Sequence, residues 1–148
     1  MKISKLWPAA LVLLIGCDSA LESLRREELW KVQEIHDYQF TYTVSCFCGF
    51  LGPNPALITV HNDVVTKVEY VSPLSGSYAT AGYPTIDSLF ARITRASAEG
   101  AKTVKVDYDD AYEFPKSIFI DHDEHTADDE VSFKVENFIT LSADQEKE

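Results

Sequence analysis

Cys46 and Cys48 are the two residues whose type and spacing could do redox chemistry. Alternate residues of a regular strand lie about 6.6–6.8 Å apart, which is the upper limit of the Cα separation that a disulfide spans. A bond between the two sulfurs would therefore need a bulge or turn, which Gly49 permits, and it would be strained and easily reduced. The alternative, which we favour, is two small buried side chains, bridged or not, on the apolar face of a strand.

A second candidate site is the acidic stretch at residues 121–130, which combines hard oxygen donors with two imidazoles. Its spacing matches neither an EF-hand loop, which needs a glycine at its sixth position and a glutamate at its twelfth, nor a zinc signature with cysteines. We favour a solvated acidic loop between two strands over a calcium or zinc site, and we predict no cofactor. The candidate metal ligands are Asp121, Asp123, Asp128, Asp129 and Glu130.

The sequence contains no recognisable catalytic constellation. It has neither a G-x-S-x-G elbow nor an H-E-x-x-H helix. His36 and His61 are predicted to be isolated residues at the surface or at a sheet edge. We therefore predict no catalytic residue and expect a protein without enzymatic activity.

The first 17 residues have the layout of a secretory signal, with two lysines before an apolar run at residues 6–15. This run is too short to span a bilayer, which needs about 20 residues. It ends in Leu-Ile-Gly-Cys at residues 14–17, which resembles a bacterial lipobox. That resemblance implies that Cys17 becomes the first residue of the mature chain and carries diacylglycerol and a further acyl chain. The alternative is a free thiol in a signal peptide that is cleaved elsewhere.

A lipobox divides the chain into a signal peptide at residues 1–16, a short lipidated tether at 17–20, one domain at 21–141 and a polar tail at 142–148. Several acyl chains anchor a protein stably, whereas one holds it marginally. We therefore predict attachment to a membrane of the cell envelope through Cys17, on the periplasmic face in a Gram-negative organism. Its partner would be an envelope protein or a small ligand.

Acidic side chains are concentrated towards the C-terminal end of the chain, whose formal net charge is −11. Residues 17–106 carry 10 acidic and 8 basic side chains, whereas residues 107–148 carry 14 and 3. Nucleic acids and anionic lipids both attract clustered lysine and arginine. The composition therefore predicts no nucleic-acid partner and no electrostatic adsorption to a membrane.

The elements that must position these residues are two helices and six strands. Residues 21–35 favour a helix, and residues 38–48 alternate as a strand with one buried face. A hairpin follows around Asn62-Asp63, where a type I′ turn requires positive φ, and we expect either a bulge in it or a sheet that is covered on parts of both faces. The predicted buried face of the helix consists of Leu21, Leu24, Leu29, Trp30, Val32 and Ile35.

The second half of the chain repeats this order of elements. Its helix has Thr85 as N-cap and stops at Gly100, and three strands follow at residues 103–108, 116–121 and 131–138. The order predicts a single α+β domain, an antiparallel sheet of about six strands with both helices packed on one face. A duplicated unit of one helix and three strands also fits the order, although no residue-level repeat supports it.

Several ordered motifs resemble one family. They are a tryptophan before a Tyr-x-Phe strand, the Cys-Phe-Cys at 46–48, the hairpin at 60–65, the helix start at 84–90 and the acidic 128–130. The family is the domain of unknown function 6174, which comprises small bacterial secreted proteins and lipoproteins. Asp63 stands where the family usually has a turn glycine, and Glu113-Phe114 replaces a usual Gly-Tyr.

The resemblance covers nearly all of the mature chain but implies no activity. We therefore expect a cell-envelope lipoprotein that acts as a non-enzymatic binding or interaction module. The alternative is a thiol-redox or metal-binding envelope factor that uses Cys46 and Cys48 or the acidic loop at 121–130.

Overall fold

The computed structural model describes residues 18–47, 54–71, 79–123, 125–126 and 128–142. Three features predicted from the sequence therefore lie outside the described residues: the signal segment with Cys17, the second cysteine Cys48, and the tail beyond residue 142. The elements and the sites discussed below belong to the described residues.

The described chain has the predicted order of one helix and three strands, followed by a second helix and three more strands. The elements are α1 (Asp18–Lys31), β1 (Tyr38–Cys46), β2 (Ala56–His61), β3 (Val64–Tyr70), α2 (Ile86–Ala98), β4 (Thr103–Tyr108), β5 (Pro115–Asp121) and β6 (Val131–Thr140). The helix α1 begins inside the stretch that was predicted to be a tether, so helical structure starts one residue after Cys17.

All six strands form one antiparallel sheet in the order β3-β2-β1-β6-β5-β4, with both helices on one face, which confirms the predicted fold class. The first and last strands pair at the centre of this sheet. A duplication would place the first strand of each half at equivalent positions. Instead, β1 is central whereas β4 is an edge strand, so the two halves are not copies of one arrangement.

The strand β1 supplies the middle of the core. Its alternation places Tyr38, Phe40, Tyr42 and Val44 on the buried face of the sheet, as predicted. The ring of Tyr38 meets Trp30 of α1 edge to face, with 5.6 Å between ring centroids. This contact fixes α1 against the sheet.

The prediction for the buried face of α1 was wrong for three of its residues, since Leu21, Leu24 and Val32 are exposed. Leu21 and Trp30 are nine residues apart, about two and a half helical turns, and therefore point to opposite sides. The indole of Trp30 contacts three aromatic rings of the core, and this packing sets the rotation of the helix.

Polar contacts hold α1 in the same rotation. Arg26 forms an ion pair with Glu113 in the turn before β5, and the side-chain amide of Gln33 donates 2.8 Å to the carbonyl of Tyr112. The inward side of α1 is thus partly polar, and it is matched to the turn at residues 109–114 rather than to a continuous apolar surface.

The turn chemistry follows the sequence closely. Asn62 and Asp63 have φ of 47° and 63°, as a type I′ turn requires, and the register shifts between Thr59 and Val60, where a bulge was expected. Thr85 caps α2 by accepting 3.2 Å from the backbone N–H of Ser88. These predictions are confirmed.

Candidate functional site

A cleft of about 450 Å³ opens between the second half of α2 and the neighbouring ends of β1, β5 and β6; we call it the α2 cleft. Its floor consists of three buried apolar side chains, Ala96 from α2, Ile120 from β5 and Phe133 from β6. Strand alternation and helical periodicity turn these residues towards the same interior. The floor of the α2 cleft is therefore a part of the core that solvent can reach.

Two arginines from α2 form the basic part of the lining. Arg92 and Arg95 are three residues apart and therefore lie on the same side of the helix. The guanidinium carbon of Arg92 lies 4.6 Å from the centroid of the Phe133 ring, which is a cation–π contact. Within the described residues, neither arginine forms an ion pair with a carboxylate. Both can therefore meet an anionic group of a ligand.

The ring of Phe133 also packs against Tyr42. The two rings stack with 6.2 Å between their centroids. Burial raises the pKa of Tyr42 to about 12, and the positive charge of Arg92 opposes this shift. The phenol therefore stays protonated at neutral pH and does not neutralise Arg92.

The acidic part of the lining comes from the loop between β5 and β6, which contributes Asp128, Asp129 and Glu130 together with His122. The Oδ1 atom of Asp129 is buried and accepts no hydrogen bond from any described residue. A buried carboxylate oxygen without a donor destabilises the structure around it. Because this oxygen is closed off from solvent, a cationic or N–H group of a ligand would meet the exposed carboxylates of Asp128 and Glu130 in the same lining.

Asp123 has a different role in the same loop. Its carboxylate accepts 3.0 Å from the backbone N–H of His125 and 3.0 Å from the hydroxyl of Thr126, and these bonds hold the pKa of Asp123 below its usual value. Neither Asp121 nor Asp123 lines the α2 cleft. In the described part of the loop and its surroundings, no three His, Cys, Asp or Glu side chains are grouped as a metal would require. The metal site stays a prediction.

Cys46 lines the α2 cleft at the end of β1, next to the exposed ring of Phe47. It is half-buried and disulfide-bonded. The sequence offers Cys17 and Cys48 as its partner, and both lie outside the described residues. The pairing of Cys46 with Cys48 therefore stays a prediction.

The fold thus brings two sites that the sequence suggested separately to one place, since Cys46 and the acidic residues 128–130 line the same cleft. The two arginines were not predicted as site residues, because a basic side chain on the polar face of a helix is ordinarily exposed to solvent. The available signal was the spacing of Arg92 and Arg95 beside Ala96, a small residue that leaves space between helix and sheet.

A larger depression of about 820 Å³ lies around Tyr108 and the start of α1. Two of its basic side chains, Arg26 of α1 and Lys134 of β6, are paired with carboxylates of the protein. Arg26 contacts Glu22 and Glu113, and Lys134 contacts Glu136 at 2.8 Å. Because these charges already neutralise each other, the α2 cleft is the better candidate for a binding site.

Two histidines that were predicted to be isolated have carboxylate partners. His36 Nδ1 lies 2.8 Å from Asp63 Oδ2, and His61 Nδ1 lies 3.2 Å from Asp37 Oδ1. Asp37 also accepts 2.9 Å from the backbone N–H of Asn62 in the hairpin turn. These pairs join the two residues directly before β1 to the β2–β3 hairpin, and we assign them a structural role.

Comparison with known proteins gives a family but no activity. No helix among the described residues is long and apolar enough to cross a membrane. Neither the curated proteins nor the solved structures contain a match to this chain. A family model, DUF6174, described as a family of unknown function, matches residues 22–140. Because that match covers most of the sequence, from α1 to the end of β6, the chain belongs to the DUF6174 family.

Proposed function

We propose that this protein is a bacterial cell-envelope lipoprotein that acts as a non-enzymatic binding module and uses the α2 cleft as its binding site. The anchor is Cys17, at the end of the apolar run and the Leu-Ile-Gly-Cys motif at residues 14–17. In this proposal residues 1–16 are removed, and the acylated cysteine precedes the first helical residue, Asp18, directly.

The observation that carries the binding proposal is the lining of the α2 cleft. Arg92 and Arg95 have no carboxylate partner among the described residues, and the lining also holds the exposed carboxylates of Asp128 and Glu130. Both kinds of charge therefore lie around one apolar floor. A guanidinium binds a carboxylate through paired N–H groups, and a carboxylate binds an ammonium group.

A ligand that matches this lining has an anionic group, a cationic group and an apolar body between them. A short peptide with free termini has this chemistry, and so does a terminal segment of another envelope protein. The cleft volume of about 450 Å³ lies within the range of roughly 300–1,000 Å³ that is typical of small-ligand sites. We therefore propose a zwitterionic peptide as the ligand class.

The anchor is tested by mass spectrometry of the protein purified from bacterial membranes. The proposal predicts a mature chain that begins at Cys17 and carries the mass of the acyl groups. A Cys17→Ser precursor should keep its signal segment and lose the acyl mass. If wild type and variant mature identically and without acylation, the lipoprotein proposal is wrong.

The binding site is tested by titrating the ¹⁵N-labelled protein with the tripeptide Gly-Phe-Gly and following amide chemical shifts. We expect shifts around the α2 cleft and a dissociation constant that rises roughly tenfold or more for each peptide terminus that is blocked, since each lost charge-assisted bond contributes about 1.5–3 kcal/mol. Arg92→Gln and Arg95→Gln should weaken binding similarly, whereas Lys105→Gln, on the edge strand β4, should not. Equal binding of free and blocked peptides would contradict the proposed ligand class.

A redox function is the second candidate, because the disulfide-bonded Cys46 forms part of the same lining. In such a reaction a thiolate of a partner attacks one sulfur of the disulfide, two electrons pass to the cysteines, and the partner's dithiol becomes the disulfide. The midpoint potential separates the two functions. A value above about −250 mV would support redox exchange, whereas a value below about −300 mV is typical of a structural disulfide.

A further inference from the structure

Two leucines on the outer side of α1 are not covered by any described part of the protein. Leu21 and Leu24 are 61% and 48% exposed, whereas Ser23 and Trp30 on the inner side are 1% and 3% exposed. Helices of globular proteins usually have the reverse arrangement, with leucines towards the core and polar residues outside.

The place of the two leucines along the chain indicates what covers them. The helix begins at Asp18, the residue that follows Cys17. A helix rises about 1.5 Å per residue, so Leu21 lies roughly 4.5 Å and Leu24 roughly 9 Å along the axis from Asp18, the residue bonded to the proposed anchor. A lipid-bearing Cys17 would hold both side chains within the depth of the headgroup layer.

We propose that the outer side of the first two turns of α1 rests on the bilayer, with Leu21 and Leu24 inserted at the boundary between headgroups and acyl chains. This proposal rests on the lipoprotein function proposed above. Arg25 directly follows Leu24 in sequence; its side chain is 58% exposed, and its Nε lies 3.5 Å from Oε2 of Glu22. Its long apolar stem and charged end suit a position where the guanidinium reaches lipid phosphates.

The charge of the protein determines how this contact forms. The full chain has a formal net charge of −11, so an anionic membrane repels the protein, which does not adsorb through electrostatics. The leucines contribute only after the acyl chains have brought α1 to the surface. The contact should therefore appear in the acylated protein, persist at high salt and be lost in the unacylated Cys17→Ser protein.

The test places a fluorophore on each side of the domain. Leu24→Trp and Ile139→Trp report on two positions of equal exposure, 48% each. Ile139 pairs with Gln39 in the sheet and lies next to the buried-side residue Phe138, so it faces away from the helices. The acylated proteins are reconstituted into vesicles of phosphatidylethanolamine and phosphatidylglycerol that contain brominated acyl chains, and the emission of Trp30 in wild type is subtracted.

We expect bromine to quench the added emission of Leu24→Trp strongly and that of Ile139→Trp little, with the same result for Leu21→Trp as for Leu24→Trp. Equal quenching of Leu24→Trp and Ile139→Trp would overturn the proposal. The proposal would also be overturned if Leu24→Trp were not quenched and its emission changed with the protein density in the vesicle. That result would indicate that a second copy of the protein covers the outer side of α1. The acyl mass on Cys17, measured on the same samples, separates failure of this proposal from failure of the lipoprotein function.

Discussion

The phenolic oxygen of Tyr38 accepts a hydrogen bond of 3.0 Å from the backbone N–H of Ile86, inside the core. The bond joins β1 to the first turn of α2, 48 residues further along the chain. The first N–H groups of a helix have no partner within the helix, and the strand supplies this one. Burial raises the pKa of Tyr38 above its usual value, so the phenol stays neutral while it accepts the bond.

Removal of this acceptor should destabilise the domain. Tyr38→Phe leaves the buried N–H of Ile86 without a partner, which costs about 1–3 kcal/mol in the free energy of unfolding. Tyr42→Phe is the control, because the Tyr42 hydroxyl forms no hydrogen bond with a described residue, and its change should remain below about 1 kcal/mol. Urea denaturation measures both; equal losses would show that the Tyr38 bond adds nothing.

The rotation of α1 predicts unequal effects for two of its apolar residues. Trp30→Ala should lower the free energy of unfolding by about 3–5 kcal/mol, because a buried aromatic ring is replaced by a cavity. Leu24→Ala should change the free energy of unfolding of the unanchored domain by less than about 0.5 kcal/mol, since the side chain is half exposed. A large loss for Leu24→Ala would mean that the leucines face the core after all.

The left-handed backbone at Glu113, with φ of 67°, should make glycine the most stable replacement there. Glu113→Gly and Glu113→Gln both remove the ion pair with Arg26, but only glycine removes the steric cost of positive φ, which is about 1–2 kcal/mol for other residues. Glu113→Gly should therefore be more stable than Glu113→Gln by about 1 kcal/mol in thermal or urea unfolding. If the two variants were equally stable, the positive φ at residue 113 would carry no steric cost.

Asp37 should contribute a pH-dependent part of the stability. The backbone N–H of Asn62, followed by His61, holds the pKa of Asp37 below its usual value. A carboxylate with a lowered pKa stabilises the folded state above its unfolded pKa, and the contribution is lost as the pH falls through the folded pKa. The stability difference between wild type and Asp37→Asn should therefore be constant near neutral pH and shrink below about pH 4.

The control for this prediction is Asp110→Asn, at an exposed carboxylate. Its difference from wild type should stay near zero from pH 7 to acidic pH in urea titrations. If the stability difference between wild type and Asp37→Asn did not shrink at acidic pH, the carboxylate of Asp37 would not be the origin of that difference.

The strands were predictable because the alternation of buried and exposed residues is a local pattern in the sequence. Tyr38, Phe40 and Tyr42 each need only a neighbour two residues away to define a buried face, and Thr85 and Gly100 mark the ends of α2 through their own backbone preferences. The orientation of α1 was not predictable from leucine spacing, since Trp30 on the opposite side makes the larger set of core contacts.

The candidate site was only partly predictable. Cys46 and the acidic loop stood out by residue type, but their common position depends on β1 pairing with β6, and sequence order does not determine which strands are neighbours. Arg92 and Arg95 resembled ordinary solvent-facing residues, because nothing in α2 itself shows that the helix ends over an open part of the core.

The pairing of the first strand with the last also determines when the domain can form. Tyr38 lies opposite Thr140, and the backbone N–H of Leu141 donates 2.9 Å to the carbonyl of Asp37. A growing polypeptide that ends before Val131 has two separate half-sheets, each with an unpaired edge where the centre should be. Cooperative closure of the sheet must therefore wait until nearly the whole chain has been synthesised.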